Sequence, residues 1–213
     1  MANYLSRGIL LAVIAAAVLS SRICGWDFND KTINYELLCG HNRESVFFGR
    51  VLTAVFWSLL AAGLILFMPL ILFTVLHGWG PSMELSDAVL RILLFLLPYF
   101  RQLAFFILLT FLFSNSSGGL TGSLVTFMVS FLGIEILEDT KHISLTTQLS
   151  ITNMMELLTF SNSRNKLIGG EEIPVYTSSV SSDMIWGSIL FSVVMIIIYI
   201  GIGYVYFKKR DMS

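Results

Sequence analysis

The side chains that could do chemistry in this chain gather in one short polar island. It runs from Asp27-Phe28-Asn29-Asp30-Lys31-Thr32-Ile33 through Gly40-His41-Asn42-Arg43 to Gly49-Arg50, between two strongly apolar segments. Acids, bases and one imidazole are present there, but not at the spacing of a catalytic or metal-binding set. His41, His77 and His142 are separated by apolar segments and read as helix ends or solvent contacts rather than catalysts. Cys24 and Cys39 lack CxxC spacing and a His-rich neighbourhood, so they read as small apolar fillers. Gly118-Gly119 and Gly169-Gly170 are not followed by the Lys-Ser/Thr of a phosphate-binding loop, so any nucleotide would be handled elsewhere. There is no Gly-x-Ser-x-Gly elbow and no His-Glu-x-x-His helix. The chain is therefore expected not to be an enzyme. A short cationic, helix-compatible stretch under an apolar bundle implies a surface on which another protein pushes.

Two further ionisable residues stand in apolar surroundings. Arg101 follows Pro98-Tyr99-Phe100, and Glu135 lies near the end of another apolar run. An arginine in hydrocarbon costs about 2.5–3.5 kcal/mol on insertion scales. Either the span starts near Tyr99 and leaves Arg101 at the outer membrane edge, or Arg101 contacts a translocated substrate or a partner half. Glu135 poses the same question.

The elements that must position these residues are membrane spans. Hydrophobic residues make up 55% of the 213 positions and charged ones 13%, against the roughly 25% charged of a soluble domain. The net charge of -1 offers no field to recruit nucleic acid, so no nucleic-acid partner is expected. Membrane lipids are. Five apolar segments stand out: 8–23, 51–76, 88–113, 120–136 and 185–207. Pro69 predicts a kink in the second, and Pro98 an interruption of the third. Ser114 to Gly119 reads as a turn. The expected fold is an all-α polytopic bundle of about five transmembrane helices, one domain over 1–213. The N-terminal segment has a single Arg7 before it and no clean cleavage site, so it reads as a retained span rather than a signal peptide.

Orientation follows from cations at span ends. Lys31, Arg43 and Arg50 precede the second span, and Lys208, Lys209 and Arg210 end the last. Five spans put both groups in the cytoplasm of a multi-pass cell-membrane protein, with the N-terminus outside. The stretch 137–183 is then an extracytoplasmic loop. Its apolar positions between Ile143 and Phe160 predict a short surface helix, broken by Gly169-Gly170 and Pro174.

Within the island, Asp27 or Asn29 can cap a helix over Thr32 to Leu38. Ile33, Leu37 and Leu38 form its apolar strip, Gly40 stops it, and Asn42 starts the next. In order and spacing, Asp27-Phe28, Thr32-Ile33, Leu37, Gly40-His41-Asn42-Arg43, Val46-Phe47 and Gly49-Arg50 resemble the cytoplasmic segment of ABC-2 type transporter permeases. Phe207-Lys208-Lys209-Arg210-Asp211 is similar to that family's closing signature, and Asn115-Ser116-Ser117-Gly118 to its link between the fourth and fifth helices. The family's usual first helix is lacking, and Lys31 stands where a Gly precedes the Thr-Ile pair.

That resemblance implies a permease subunit of an ABC exporter for a peptide, lipid or drug-like cargo. It implies pairing with a second permease half, as a homodimer or heterodimer, and with an ATP-binding subunit that holds ATP and Mg. No cofactor is expected in this chain. The segment 27–50 would be the coupling region, with Ile33, Leu37, Gly40 and Arg43 carrying the contact. Ile33 and Leu37 share one helix face and could fill an apolar groove. The alternative is a non-transporting membrane interaction or bacteriocin-immunity protein.

Overall fold

The computed structural model describes residues 2–30, 32–78, 85–141, 161–168, 171–177 and 182–209. Six helices and one hairpin form there: α1 Ala2–Asn29, α2 Thr32–Leu38, α3 Arg43–His77, α4 Leu85–Phe113, α5 Ser116–Lys141, strands β1 Ser161–Ile168 and β2 Glu171–Thr177, and α6 Ser182–Lys209. Among the described residues, four helices are long and apolar enough to cross a membrane: Gly8–Phe28, Arg43–Leu76, Ile92–Phe113 and Ile185–Lys209. This is a polytopic helical membrane protein. The fifth expected segment, 120–136, lies in the body of α5, which is 26 residues long but is not one of those four.

The helices run where the hydrophobic runs require, and longer. Hydrocarbon has no water to satisfy backbone groups, so a spanning segment stays helical until it is clear of lipid. For that reason α1 continues through Trp26, Asp27 and Phe28, and Asp27 sits in the helix rather than capping the next one. Pro69 and Pro98 lie inside α3 and α4 without ending either helix. The expected interruption at Pro98 is absent, and Arg101 falls within the span Ile92–Phe113. It stands twelve residues before the end of α4, about 18 Å along a helix axis. Against a hydrocarbon core of about 30 Å, that is near mid-depth and not at the outer edge.

Packing sorts the helices into layers. α1, α4 and α5 pack against one another; α3 lies mainly along α1, and α6 along α4. The ends of α1, α4 and α6 and the starts of α3 and α5 meet at one pole. Phe28, Phe47, Phe111 and Phe207 touch ring to ring there, with centroids 4.8–6.2 Å apart. Close approach of α1 to the α4–α5 turn needs Gly25, because a Cβ there would stand 2.7 Å from the Ser116 Cα. The expected turn over 114–119 shortens to Ser114 and Asn115, since α5 begins at Ser116 and takes Gly118 and Gly119 into its first turns.

The stretch 137–183 is not purely helical. β1 and β2 pair antiparallel, from Ser161↔Thr177 to Ile168↔Glu171, with an irregularity between Asn162 and Arg164. Pro174 lies within β2 opposite Asn165 instead of ending a segment, as a two-stranded sheet permits because each strand has a free edge. The helix expected over Ile143 to Phe160 lies outside the described residues.

Candidate functional site: the polar pole of the bundle

The island folds as a helix, a reversal and the start of α3. The helix α2 covers Thr32–Leu38, as its polar and apolar spacing predicts. Its reversal depends on Gly40, whose φ of +90° is strained for a residue with a Cβ. The Gly40 and His41 N–H groups donate to the Leu37 and Glu36 carbonyls and close the helix end. Asn42 occupies the cap position of α3 in extended conformation, without a side-chain cap bond.

Arg50 organises this pole. It is 8% exposed, yet its guanidinium bridges two elements. Nε donates to Asp27 Oδ2 at 2.8 Å and Nη2 to Glu36 Oε2 at 3.0 Å. One cation therefore ties the end of α1 and the whole of α2 to the first turns of α3. The pairing keeps a buried charge compensated, which a low-dielectric site demands. Asp27, Glu36, His41, Arg50 and Thr53 line a surface groove of about 430 Å³.

A second polar cluster joins α3 to α6. The Tyr204 hydroxyl donates to Glu44, and Lys208 Nζ lies 3.4 Å from the same carboxylate. Arg43 Nη1 donates to the Lys208 carbonyl at 2.9 Å, placing a cation at the negative end of the α6 dipole. Arg22 lies over the Trp26 ring at 4.9 Å. Cations from three helices thus face one pole.

The four residues expected at a partner contact divide. Ile33 and Leu37 share a face as their spacing requires, but that face points into the bundle. Ile33 is 1% exposed within the core and Leu37 packs against it. Gly40 is exposed and Arg43 half-buried. The outward face of α2 is Tyr35, 68% exposed, and Leu38, 82% exposed. Of the two cysteines, Cys24 is buried and Cys39 exposed, so only the first fills space. Glu135 lies in α5, with its side chain outside the described residues, and nothing here brings it to the pole. The Arg50 clamp and the Glu44–Tyr204–Lys208 cluster escape sequence reading, because their partners are 14 to 164 residues apart. Among the described residues, no group of three His, Cys, Asp or Glu could hold a metal.

A family model described as "Protein of unknown function (DUF2705)" matches residues 1–213, the whole chain. That match corrects the likeness to ABC-2 type permeases: the motifs that carried it are short segments, whereas this family accounts for the full length. No curated protein and no solved structure matches.

Proposed function

The chain belongs to this family of unknown function, DUF2705, and we propose that it is the membrane subunit of a transporter driven by a separate ATP-hydrolysing subunit. The polar pole faces the cytoplasm and carries the partner, and the N-terminus lies outside. The observation that carries this reading is the mounting of α2. Ile33 is buried beneath it and Arg50 clamps it to α1 and α3, while Tyr35 and Leu38 stand out beside a polar groove. A lone loop at a membrane surface needs no such mounting. A lever does, because force applied to α2 must reach the spans rather than bend the loop.

Arg43, Gly40 and the outward face of α2 make the contact in this reading, while Ile33 and Leu37 hold the helix from behind. The aromatic packing at Phe28, Phe47, Phe111 and Phe207 carries displacement on to α4 and α6. α5 completes a fifth crossing, which agrees with α1, α4 and α6 ending at the same pole. ATP and Mg belong to the partner, and a second membrane half completes the assembly. The cargo is a peptide, a lipid or a drug-like molecule.

The test is co-purification of the full-length protein in mild detergent, with Leu38→Asp beside the native chain. The native chain should bring down a nucleotide-binding subunit with ATPase activity. Leu38→Asp should lose it while inserting normally, because an exposed side chain outside hydrocarbon contributes little to folding. Recovery of the same subunit by both chains would refute the α2 contact. Absence of any ATPase from both would favour a non-transporting interaction protein.

A further inference from the structure

The groove beside α2 has two walls with a common direction. Ile23 and Asp27 stand one turn apart on α1, Ser45, Gly49 and Thr53 one turn apart on α3, and Glu36 comes from α2. A Cβ at Gly49 would have nothing within 4 Å, so the space beside it is open because that residue has no side chain. One turn beyond Thr53 the same lane of α3 reaches Trp57, 47% exposed and inside the span Arg43–Leu76. The groove therefore starts at the polar pole, and its α3 wall leads into hydrocarbon.

Its polar atoms ask for two things at once. Asp27 and Glu36 give Oδ2 and Oε2 to Arg50. Among the described residues, Oδ1 and Oε1 take no hydrogen bond, and the two side chains keep 30% and 39% of their surface in solvent. These outer oxygens can only accept. Arg50 asks for the reverse. Its Nη1 is buried and, among the described residues, has no hydrogen-bond partner. A charged donor left unpaired costs free energy until an acceptor reaches it. Two carboxylates against one guanidinium leave the mouth acidic, so a ligand that brings only acceptors is repelled. One that brings a cationic donor and an acceptor together is not.

We propose that the groove binds the phosphoethanolamine head of a membrane lipid. The primary ammonium sits on the outer oxygens of Asp27 and Glu36, a phosphate oxygen turns to Arg50, and the tails run along Thr53 and Trp57. The short ethanolamine linker matches the closeness of the two demands, because Nη1 and the paired nitrogens belong to one planar group. A choline head carries the same charges but has no N–H to give the carboxylates. A glycerol head carries the phosphate without the cation. The groove, of about 430 Å³, has room for any of the three, so chemistry and not size selects among them. The site lies on the α1 and α3 walls, apart from the outward face of α2, and stands whether or not a partner docks there.

The experiment uses the full-length protein in phosphatidylcholine nanodiscs, doped in turn with tail-labelled phosphatidylethanolamine, phosphatidylcholine and phosphatidylglycerol spin probes of the same tails. The ethanolamine lipid should show a motionally restricted population about tenfold more strongly associated than the choline lipid, and the glycerol lipid should do no better than choline. Glu36→Gln should reduce the preference. Gly49→Leu keeps every charge and the Arg50 pairs but fills the groove, and should abolish it, so the test survives if Glu36→Gln loosens α2. Millimolar soluble phosphoethanolamine should not displace the lipid. Equal association of the three lipids, a preference for the glycerol lipid, or a preference unchanged in folded Gly49→Leu would overturn the proposal. Displacement by the soluble head would overturn it in favour of a water-borne ligand. Leu38→Asp should keep the lipid preference, which separates failure here from failure of the docking reading.

Discussion

Two buried arginines sit in opposite surroundings. Arg50, at the polar pole, gives Nε to Asp27 and Nη2 to Glu36, and so holds α1, α2 and α3 together. Arg101, near mid-membrane, is bordered by a crevice of hydroxyls, an amide and aromatic rings. The first placement is what an anchored surface helix needs. The second lies within the span Ile92–Phe113, where a charge costs free energy, with its guanidinium 5.1 Å from the Phe191 ring of α6. The contrast is between a cation paired to carboxylates at the pole and one lying against an aromatic ring inside a span.

The widest gap should appear on removing the pole's cation. Arg50→Gln leaves two carboxylates facing a buried junction, and is expected to cost about 2–3 kcal/mol. That value lies below that of a fully buried pair because Asp27 and Glu36 keep 30% and 39% of their side-chain surface in solvent. Denaturation in micelles checks it, and α2 should become protease-sensitive first. A variant as stable as the native chain would show that the clamp is incidental.

Next is the close approach that sets the pole's geometry. Gly25→Ala drives a Cβ to 2.7 Å from the Ser116 backbone and should cost about 1–3 kcal/mol in the same assay. Gly63→Ala has nothing within 4 Å and should be neutral, or stabilising by up to about 1 kcal/mol. Equal effects at both positions would mean that the α1–α5 contact does not hold the pole together.

Arg101→Gln should move stability by less than about 1 kcal/mol in either direction, since it removes a costly charge along with whatever that charge holds. A loss as large as that of Arg50→Gln would make Arg101 a structural residue after all. A small loss belongs to Tyr99, whose hydroxyl donates to the Ser58 carbonyl at 2.9 Å between α4 and α3. Tyr99→Phe should cost about 0.6 kcal/mol, the usual worth of a hydrogen bond between helices in a bilayer.

The spans were legible because hydrocarbon demands long apolar runs, and α2 because Gly40 and the Thr32–Leu38 pattern bound it. The direction of its apolar face was not legible. Periodicity puts Ile33 and Leu37 on one side, but whether that side meets a partner or the bundle depends on where α1 and α3 lie. Pro98 misleads for a physical reason. In water a proline often ends a helix, whereas in lipid the neighbouring helices keep the chain helical past it. Span boundaries drawn at Pro98 therefore put Arg101 at the edge when it stands inside. The hairpin over 161–177 was hidden by the Gly-Gly and Pro signals, which mark turns without saying what they join. The family likeness failed differently: short motifs in the right order resembled one family while the full length belongs to another.

The central claim is that the outward face of α2 meets a cytoplasmic ATP-hydrolysing partner. It is tested most directly by placing a photo-crosslinking residue at Leu38 and, separately, at Val75, both well exposed but far apart along the chain fold. In intact cells, illumination should join Leu38 to a nucleotide-binding subunit identified by mass spectrometry, and Val75 should give no such product. A nucleotide-binding subunit captured from Val75 and not from Leu38, or from neither position, would contradict the account.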